Sequence, residues 1–301
     1  MQKANEIREH ISAIEQTRKI TGAMEMISSN RMRQVMGHIE YNRRYFAYIR
    51  RAIKEIVASS QDVSHPFLHE RERQHRTYVV ISGDKGFCGA HNSTVLNFAL
   101  ERIHSSPGSA LITLGHTAEA FFRSHNIIPD TCMLGIVQDP TLARAREVAS
   151  ELTDLYEREL TDDIHVIYTS FYGESKRQPV EARLLPVKLH DYVDIRDADE
   201  LEGIMYHPSA QTVLDLMVPE FVLGFLFGVM VQAYASEHFA RMTAMRSATT
   251  NAKEMIDKLN TQYNLARQSA ITNELAEIAD AAEILKGENE YGGEHGYGGE
   301  Y

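Results

Sequence analysis

The sequence is short of the residues that most often announce a function. It has two cysteines, Cys88 and Cys132, among 301 residues, too few for a disulfide framework and without metal-ligand spacing. A small secreted scaffold and a zinc module are thereby excluded, and a reducing compartment fits better. The 14 histidines are scattered, with no His-Glu-x-x-His motif, no helical His pair and no Ser/His/Asp pattern, so no catalytic constellation emerges. His10, His38, His104 and His238 read as ordinary helix residues. Basic residues are outnumbered, 31 Lys and Arg against 42 Asp and Glu, for a net charge of −11; that balance repels the phosphates of a nucleic acid. The opening MQKANEIREH lacks the apolar core of a signal peptide and the acid-poor character of an organelle presequence. The most apolar stretch, Phe221 to Val231, has about half of the ~20 residues that a spanning helix needs and reads as a buried helix turn.

Residues 1–58 contain no proline and two glycines, Gly22 and Gly37, and are rich in Ile, Met, Ala, Arg and Glu, which predicts one long helix. At 1.5 Å per residue it spans about 80 Å, too long to be wrapped within a compact domain. It carries eleven cations against six acids, so the first helix is basic in an acidic chain. Such a charge run is a solvated face or a surface for a partner with acidic loops.

The period changes over residues 77–188. Short apolar runs at Tyr78–Ile81, Ala110–Leu114, Met133–Val137, Ile164–Tyr168 and Ala182–Leu185 alternate with helical stretches near 93–104, 117–125 and 140–159, the pattern of a mostly parallel α/β sheet domain. Residues 189–208 form an acidic connection. From 209 to 286 the chain turns helical again. Met242, Met245, Thr249, Ala252, Ile256, Leu259, Tyr263, Ala266 and Ala270 advance by steps of three and four, a coiled-coil stripe. Pro219 should start or kink a helix. After Ala266 the phase slips by one residue into Ile271, Leu275, Ile278, Ala282 and Leu285. The first helix offers a rougher match in Ile7, Ile11 and Ile14, then Ile20, Met24 and Ile27. The two stripes would most economically bury each other as an antiparallel pair, a stalk with the α/β domain as its head.

One turn invites a chemical reading. Gly83-Asp-Lys-Gly-Phe-Cys-Gly89 follows a strand and opens a helix, where glycine loops cradle phosphate. Its spacing matches neither the dinucleotide fingerprint nor the P-loop, so a tight structural turn outweighs a nucleotide site, and Cys88 is more simply packing than a reactive thiol. No cofactor, metal ligand or catalytic residue is expected. Residues 287–301 repeat Tyr-Gly-Gly-Glu without Lys or Arg and are expected to be disordered.

Three stretches near the end of the chain, SEHFARMTAM at 236–245, YNLARQ at 263–268 and ITNELAEI at 271–278, resemble the carboxy-terminal helix of the ATP synthase gamma subunit family. EIR at 6–8, KITGAMEM at 19–26 and DKGFCGAHN at 84–92 are similar to that family's first helix and glycine turn. The resemblance, up to about Leu285, implies a fold: a long antiparallel coiled coil of the N- and C-terminal helices plus a central Rossmann-like α/β domain. It implies a non-catalytic rotor shaft coupling ion translocation to ATP synthesis or hydrolysis. The partners it implies are the alpha and beta subunits of the catalytic ring, the epsilon subunit and the membrane c-ring. The implied location is peripheral, on the cytoplasmic side of a bacterial cell membrane. Carried over by position, Met24, Arg31 and Arg33 would lie near acidic beta loops, and Arg267, Gln268, Thr272 and Glu274 would make polar contacts with the ring. The sequence departs from the family at Lys85, where arginine is common, at Asp280 near the helix tip, and in the glycine-rich Leu223–Met230 run. Two rivals remain: a non-rotary coiled-coil scaffold that self-associates, and a nucleotide-binding enzyme built on the α/β domain.

Overall fold

A computed structural model describes residues 2–60, 63–71, 75–173, 177–188 and 205–291. The chain divides into two compact units, one of 24–245 and one of 1–23 with 246–301. Two helices pass through both: α1, Gln2–Ser59, and α5, Ala210–Tyr291. α5 therefore continues beyond Lys286 into the stretch expected to be disordered. A single glycine, Gly287, costs a helix only about 1 kcal/mol, which its neighbours can carry. Residues 292–301 and most of the acidic connection, 189–204, lie outside the described residues.

The larger unit is built on a five-stranded sheet of order β3-β2-β1-β4-β5. Its strands are β1, Arg76–Ile81; β2, Ala110–Leu114; β3, Thr131–Met133; β4, Asp163–Phe171; and β5, Arg177–Leu185. The first four are parallel and β5 runs antiparallel to β4. β1 and β2 read as continuous apolar runs because both their faces are covered. Val79, Ile81, Ile112, Leu114 and Val166 face one core, with helix α4, Leu142–Glu157, and the α1 and α5 segments of this unit. Tyr78, Val80, Leu111 and Ile167 face the other, under α2, His91–His104, and α3, His116–Ser124. Thr141 caps α4 by accepting the Arg144 amide at 3.3 Å. The run Met133–Val137 is not a strand. β3 ends at Met133, level with the end of β2, and Ile136 and Val137 are buried as loop residues.

Between residues 24 and 59, α1 runs antiparallel to residues 210–245 of α5. Phe46 packs on Phe221, Asn42 reaches Gly224 and His38 meets Phe227 edge-on. Pro219 sits inside α5 without ending it. The ring removes one amide bond, and the orphaned carbonyl belongs to solvent-exposed Asp215, where water can satisfy it. α5 holds an 18-residue window that is apolar enough to cross a membrane by composition, longer than the run the sequence suggested. Phe221, Leu226 and Val231 of α5 are fully enclosed by protein. Met242 and Met245 are buried on the same helix.

In the smaller unit the Thr249 hydroxyl donates to that of Thr21 at 2.8 Å. Ala252 and Ile256 are buried, and Leu259, Tyr263, Ala266 and Ala270 are half-buried at every three or four residues. Ile7, Ile11 and Ile14 are half-buried as well. The seam of α1 then departs from the expected line. Buried Thr21, not Ile20, continues it here, and Ile20 is 61% exposed. In the larger unit Ser28 is buried and Ile27 is 59% exposed. A heptad stripe can be filled by small polar residues that hydrogen-bond across it, which a search for apolar residues passes over. The shifted stripe at Ile271, Leu275 and Ile278 is exposed.

The edge strand β5 is tied to β4 by charge. His165 Nε2 lies 2.8 Å from Asp163 Oδ1, and its Nδ1 makes a 2.6 Å ionic contact with Glu181. Burial alone would push this imidazole down, but the bonds and charges of Asp163 and Glu181 outweigh burial and hold it above its ordinary value. A folded-state value raised this way contributes stability that is fully present below the ordinary value near 6.5 and is lost as pH rises through the raised one. Imidazole NMR is expected to show His165 titrating above the ordinary imidazole value near 6.5, with amide protection in β5 weakening over the same interval. An ordinary His165 titration is the contrary result.

Candidate functional site

The features that single out a site in the larger unit gather at the turn after β1. Its backbone is held from two sides. Gly83 donates its amide to Asn92 Oδ1 at 3.0 Å, and Asn92 Nδ2 returns a bond to the Lys85 carbonyl at 3.3 Å. From α5, Arg241 donates Nε to the Gly86 carbonyl at 3.1 Å and Nη2 to the Lys85 carbonyl at 3.2 Å. The same Nη2 lies 2.5 Å from Glu237 Oε1, one helical turn away. Both side chains of that pair are buried. A Cβ at Gly83 would stand 2.7 Å from the Glu237 carboxyl carbon, so glycine here leaves that carboxylate room beside Arg241. Asp84 Oδ1 accepts the His116 amide at 2.7 Å and so caps α3.

The Lys85 and Gly86 carbonyls that face Arg241 are thereby satisfied within the protein. Burial pushes the Glu237 carboxyl up, and the Arg241 charge offsets this in part. The Cys88 thiol is also pushed up, chiefly by burial, which makes it unreactive packing. Two neighbouring histidines go the other way. Burial, then Arg177 and Arg241, lower His91 to about 4; burial, then Arg241, Arg31 and Lys85, lower His238 to about 4. Both are neutral at physiological pH, so the positive charge here belongs to the arginines and lysine.

Arg31 joins this place. With Lys85, Asp84, Tyr234, Glu237 and His238 it lines a small cavity of about 220 Å³. Arg33 does not line it and points to solvent, while Met24 is half-buried. In the smaller unit Arg267, Gln268, Thr272 and Glu274 are exposed on α5, and the Thr272 hydroxyl bonds the Gln268 carbonyl at 2.9 Å. Among the described residues no cluster of His, Cys, Asp and Glu could hold a metal ion. Sequence reasoning missed the Glu237–Arg241 clamp. A Glu four residues before an Arg on a helix is its signal, but that spacing is usually a surface pair, and only tertiary packing buries this one.

A family model described as ATP synthase matches residues 3–285. The ATP synthase gamma chain of Ruminiclostridium cellulolyticum is 34% identical over 288 residues, covering 93% of this chain and 98% of its own. The chain belongs to the ATP synthase gamma chain family. The gamma chain of Alkaliphilus metalliredigens is 33% identical, with 93% of this chain and 98% of that one covered. In fold the chain is similar to one in the Euglena gracilis mitochondrial ATP synthase, in a structure of its OSCP, F1 and c-ring. The TM-score is 0.68 at 17% identity, and 99% of this chain and 98% of that one are covered. A second chain, from the rotor of the same organism's enzyme, gives a TM-score of 0.63 at 16% identity, covering 89% of this chain and 99% of that one. Members of the gamma family are non-catalytic subunits of the F1 assembly. The self-contained scaffold and the nucleotide-binding enzyme are both disfavoured.

Proposed function

We propose that this chain is the shaft through which ion flow in a membrane sector drives ATP synthesis, or runs backwards in hydrolysis, at beta subunits. The observation that carries this reading is the match along nearly the whole chain to bacterial gamma chains, at 34% identity for one of them. Its partners are then alpha and beta subunits around the helices, with epsilon and the c-ring at the α/β domain. Its place is the cytoplasmic face of a bacterial membrane. A shaft has no active site. Its asymmetric surface contacts the three beta subunits unequally, so each orientation favours a different set of nucleotide occupancies, a population shift set by differential contact energy.

The exposed cations suit a contact that must slide. Coulomb attraction is long-ranged and tolerant of geometry, whereas a tight apolar lock resists turning. Arg31 and Arg33 on α1 serve acidic beta loops in this reading, and Arg267, Gln268, Thr272 and Glu274 serve as polar contacts elsewhere. Reversing both charges, Arg31→Glu with Arg33→Glu, is expected to leave the melting temperature of the isolated chain nearly unchanged, because exposed substitutions cost within about 0.5 kcal/mol. The same variant is expected to assemble with alpha and beta subunits about tenfold more weakly or to hydrolyse ATP without pumping. Wild-type assembly with normal coupling would show that these charges do not face the ring.

A further inference from the structure

A cavity of about 660 Å³ lies inside the larger unit, walled by α1, α5 and the loop that leads into α4. Its size is that of a small-molecule site, far beyond what a few ordered waters fill. The walls are held in place. Arg144 donates Nη1 to the Asp139 carbonyl at 2.8 Å and its amide to Thr141, which ties the loop to α4. On α5, Gly224 leaves the Tyr45 ring its place, since a Cβ there would stand 3.3 Å from Tyr45 Cε1. The lining is apolar along its middle: Val35 and Leu223 are buried, and the Phe227 ring meets that of His38 edge-on, with centroids 6.3 Å apart.

The two ends of the cavity differ in charge. At one end Arg31, Asp139 and Tyr234 stand together, a cation against an acid. The other end lies about 20 Å away along α1 at ~1.5 Å per residue, where Tyr41, Tyr45 and Glu220 meet. The Tyr45 hydroxyl donates to Glu220 Oε2 at 3.4 Å, and Tyr41 is one helical turn from Tyr45. No cation of the chain serves this acid. Among the described residues Glu220 is in no salt bridge, and Arg44, next to Tyr45, is engaged by Glu40 at 3.1 Å. A carboxylate without a counter-ion beside two phenol rings attracts a cation, through its own charge and through the negative faces of the rings. We propose that this cavity binds an organic cation with an apolar body, its ammonium head between Tyr41, Tyr45 and Glu220 and its body along Leu223, Phe227 and Val35. From Tyr45 to Val35 is about 15 Å along α1, the reach of a medium alkyl chain with its head. The bound cation bridges both long helices and the α4 loop, and so stabilises the unit by mass action. The inference stands on the larger unit alone and goes beyond the shaft reading.

The probe is octyltrimethylammonium, titrated by calorimetry below its micellar concentration into the full chain, with octyl sulfate and octanol as its anionic and neutral counterparts. One molecule per chain is expected to bind, with a dissociation constant on the order of 100 μM, and to raise the melting temperature. Octyl sulfate and octanol are expected to bind about tenfold more weakly or not at all. Glu220→Gln should weaken the cation about fivefold. Tyr41→Leu should weaken it about threefold, whereas Tyr41→Phe, which keeps the aromatic face, should bind it as the wild type does. Both positions are exposed, so the free variants are expected to melt within about 2 °C of the wild type. Equal affinity for octanol would reduce the cavity to an apolar groove and overturn the proposal. So would octyl sulfate binding at the same strength, or many molecules per chain, since a detergent does this on any apolar surface. Wild-type affinity in Glu220→Gln overturns it as well, and so does the absence of saturable binding to the wild-type chain. None of these results depends on alpha or beta subunits, so the shaft reading stands or falls separately.

Discussion

Arg241→Met is expected to destabilise the chain by about 3–5 kcal/mol, read as a shift of the urea unfolding midpoint at pH 8, because removing one partner of a buried pair strands the other charge. The stranded group is Glu237, whose carboxyl burial already pushes up. Without the guanidinium it rises further, and the sign of the pH dependence follows. A carboxyl raised in the folded state binds its proton more tightly folded than unfolded, so the loss of stability grows as pH climbs from the unfolded value near 4.3 through the raised one. The variant should therefore lose less at pH 5 than at pH 8. Adding Glu237→Gln should recover a good part of the loss, since a neutral amide is cheaper to bury than an unpaired charge. If the double variant is no better than the single one, the cost lies in the lost bonds to the turn, above all to the Gly86 carbonyl, since Asn92 still donates to that of Lys85. Amide exchange over residues 83–89 separates these effects, because on the Arg241 side it is the carbonyl contacts that hold the turn.

The parts of this molecule legible in its sequence are those where burial and pattern coincide. Val79, Val80 and Ile112 announce strands because a doubly covered parallel sheet asks for β-branched residues on both faces. The α5 stripe from Met242 to Tyr263 stands out in the sequence because its spacing is apolar but for Thr249. The α1 stripe is not, since its seam passes through Thr21, Ser28 and Asn42, all buried, while Ile20 and Ile27 face outward. Ile136 and Val137 mislead in the opposite sense: they are apolar for burial in a loop, and their run has no strand beside it beyond Met133. At the site, glycine spacing reveals a turn after β1. What fills the turn is a pair from residues 237 and 241, some 150 residues away, and only the packing of α5 on the sheet brings it there.

Asn42 is where the polar seam can be tested most sharply. It is buried, donates Nδ2 to the Gly224 carbonyl of α5 at 3.0 Å, and its Oδ1 occupies the space a methyl group on Gly228 would need. The glycine-rich run that departs from the family therefore has a reason: Gly224 and Gly228, one turn apart, admit an amide between two close helices. Gly228→Ala should cost about 2 kcal/mol, because overpacking and loss of a buried hydrogen bond exceed the ~1 kcal/mol of helix propensity gained. Asn42→Ala alone should cost about 1 kcal/mol for the lost bond. In the Asn42→Ala background the clash is gone, so Gly228→Ala should become neutral or stabilising, a reversal of sign that a double-mutant cycle in urea detects. Additive costs would show that Gly228 is needed for something other than Asn42. A buried amide bonded to a backbone carbonyl penalises every shifted register, since sliding by one turn leaves it unpaired between apolar neighbours. Gly228 and Asn42 thus decide which residues of α1 face which residues of α5 in this unit, and through that which cations stand beside the glycine turn.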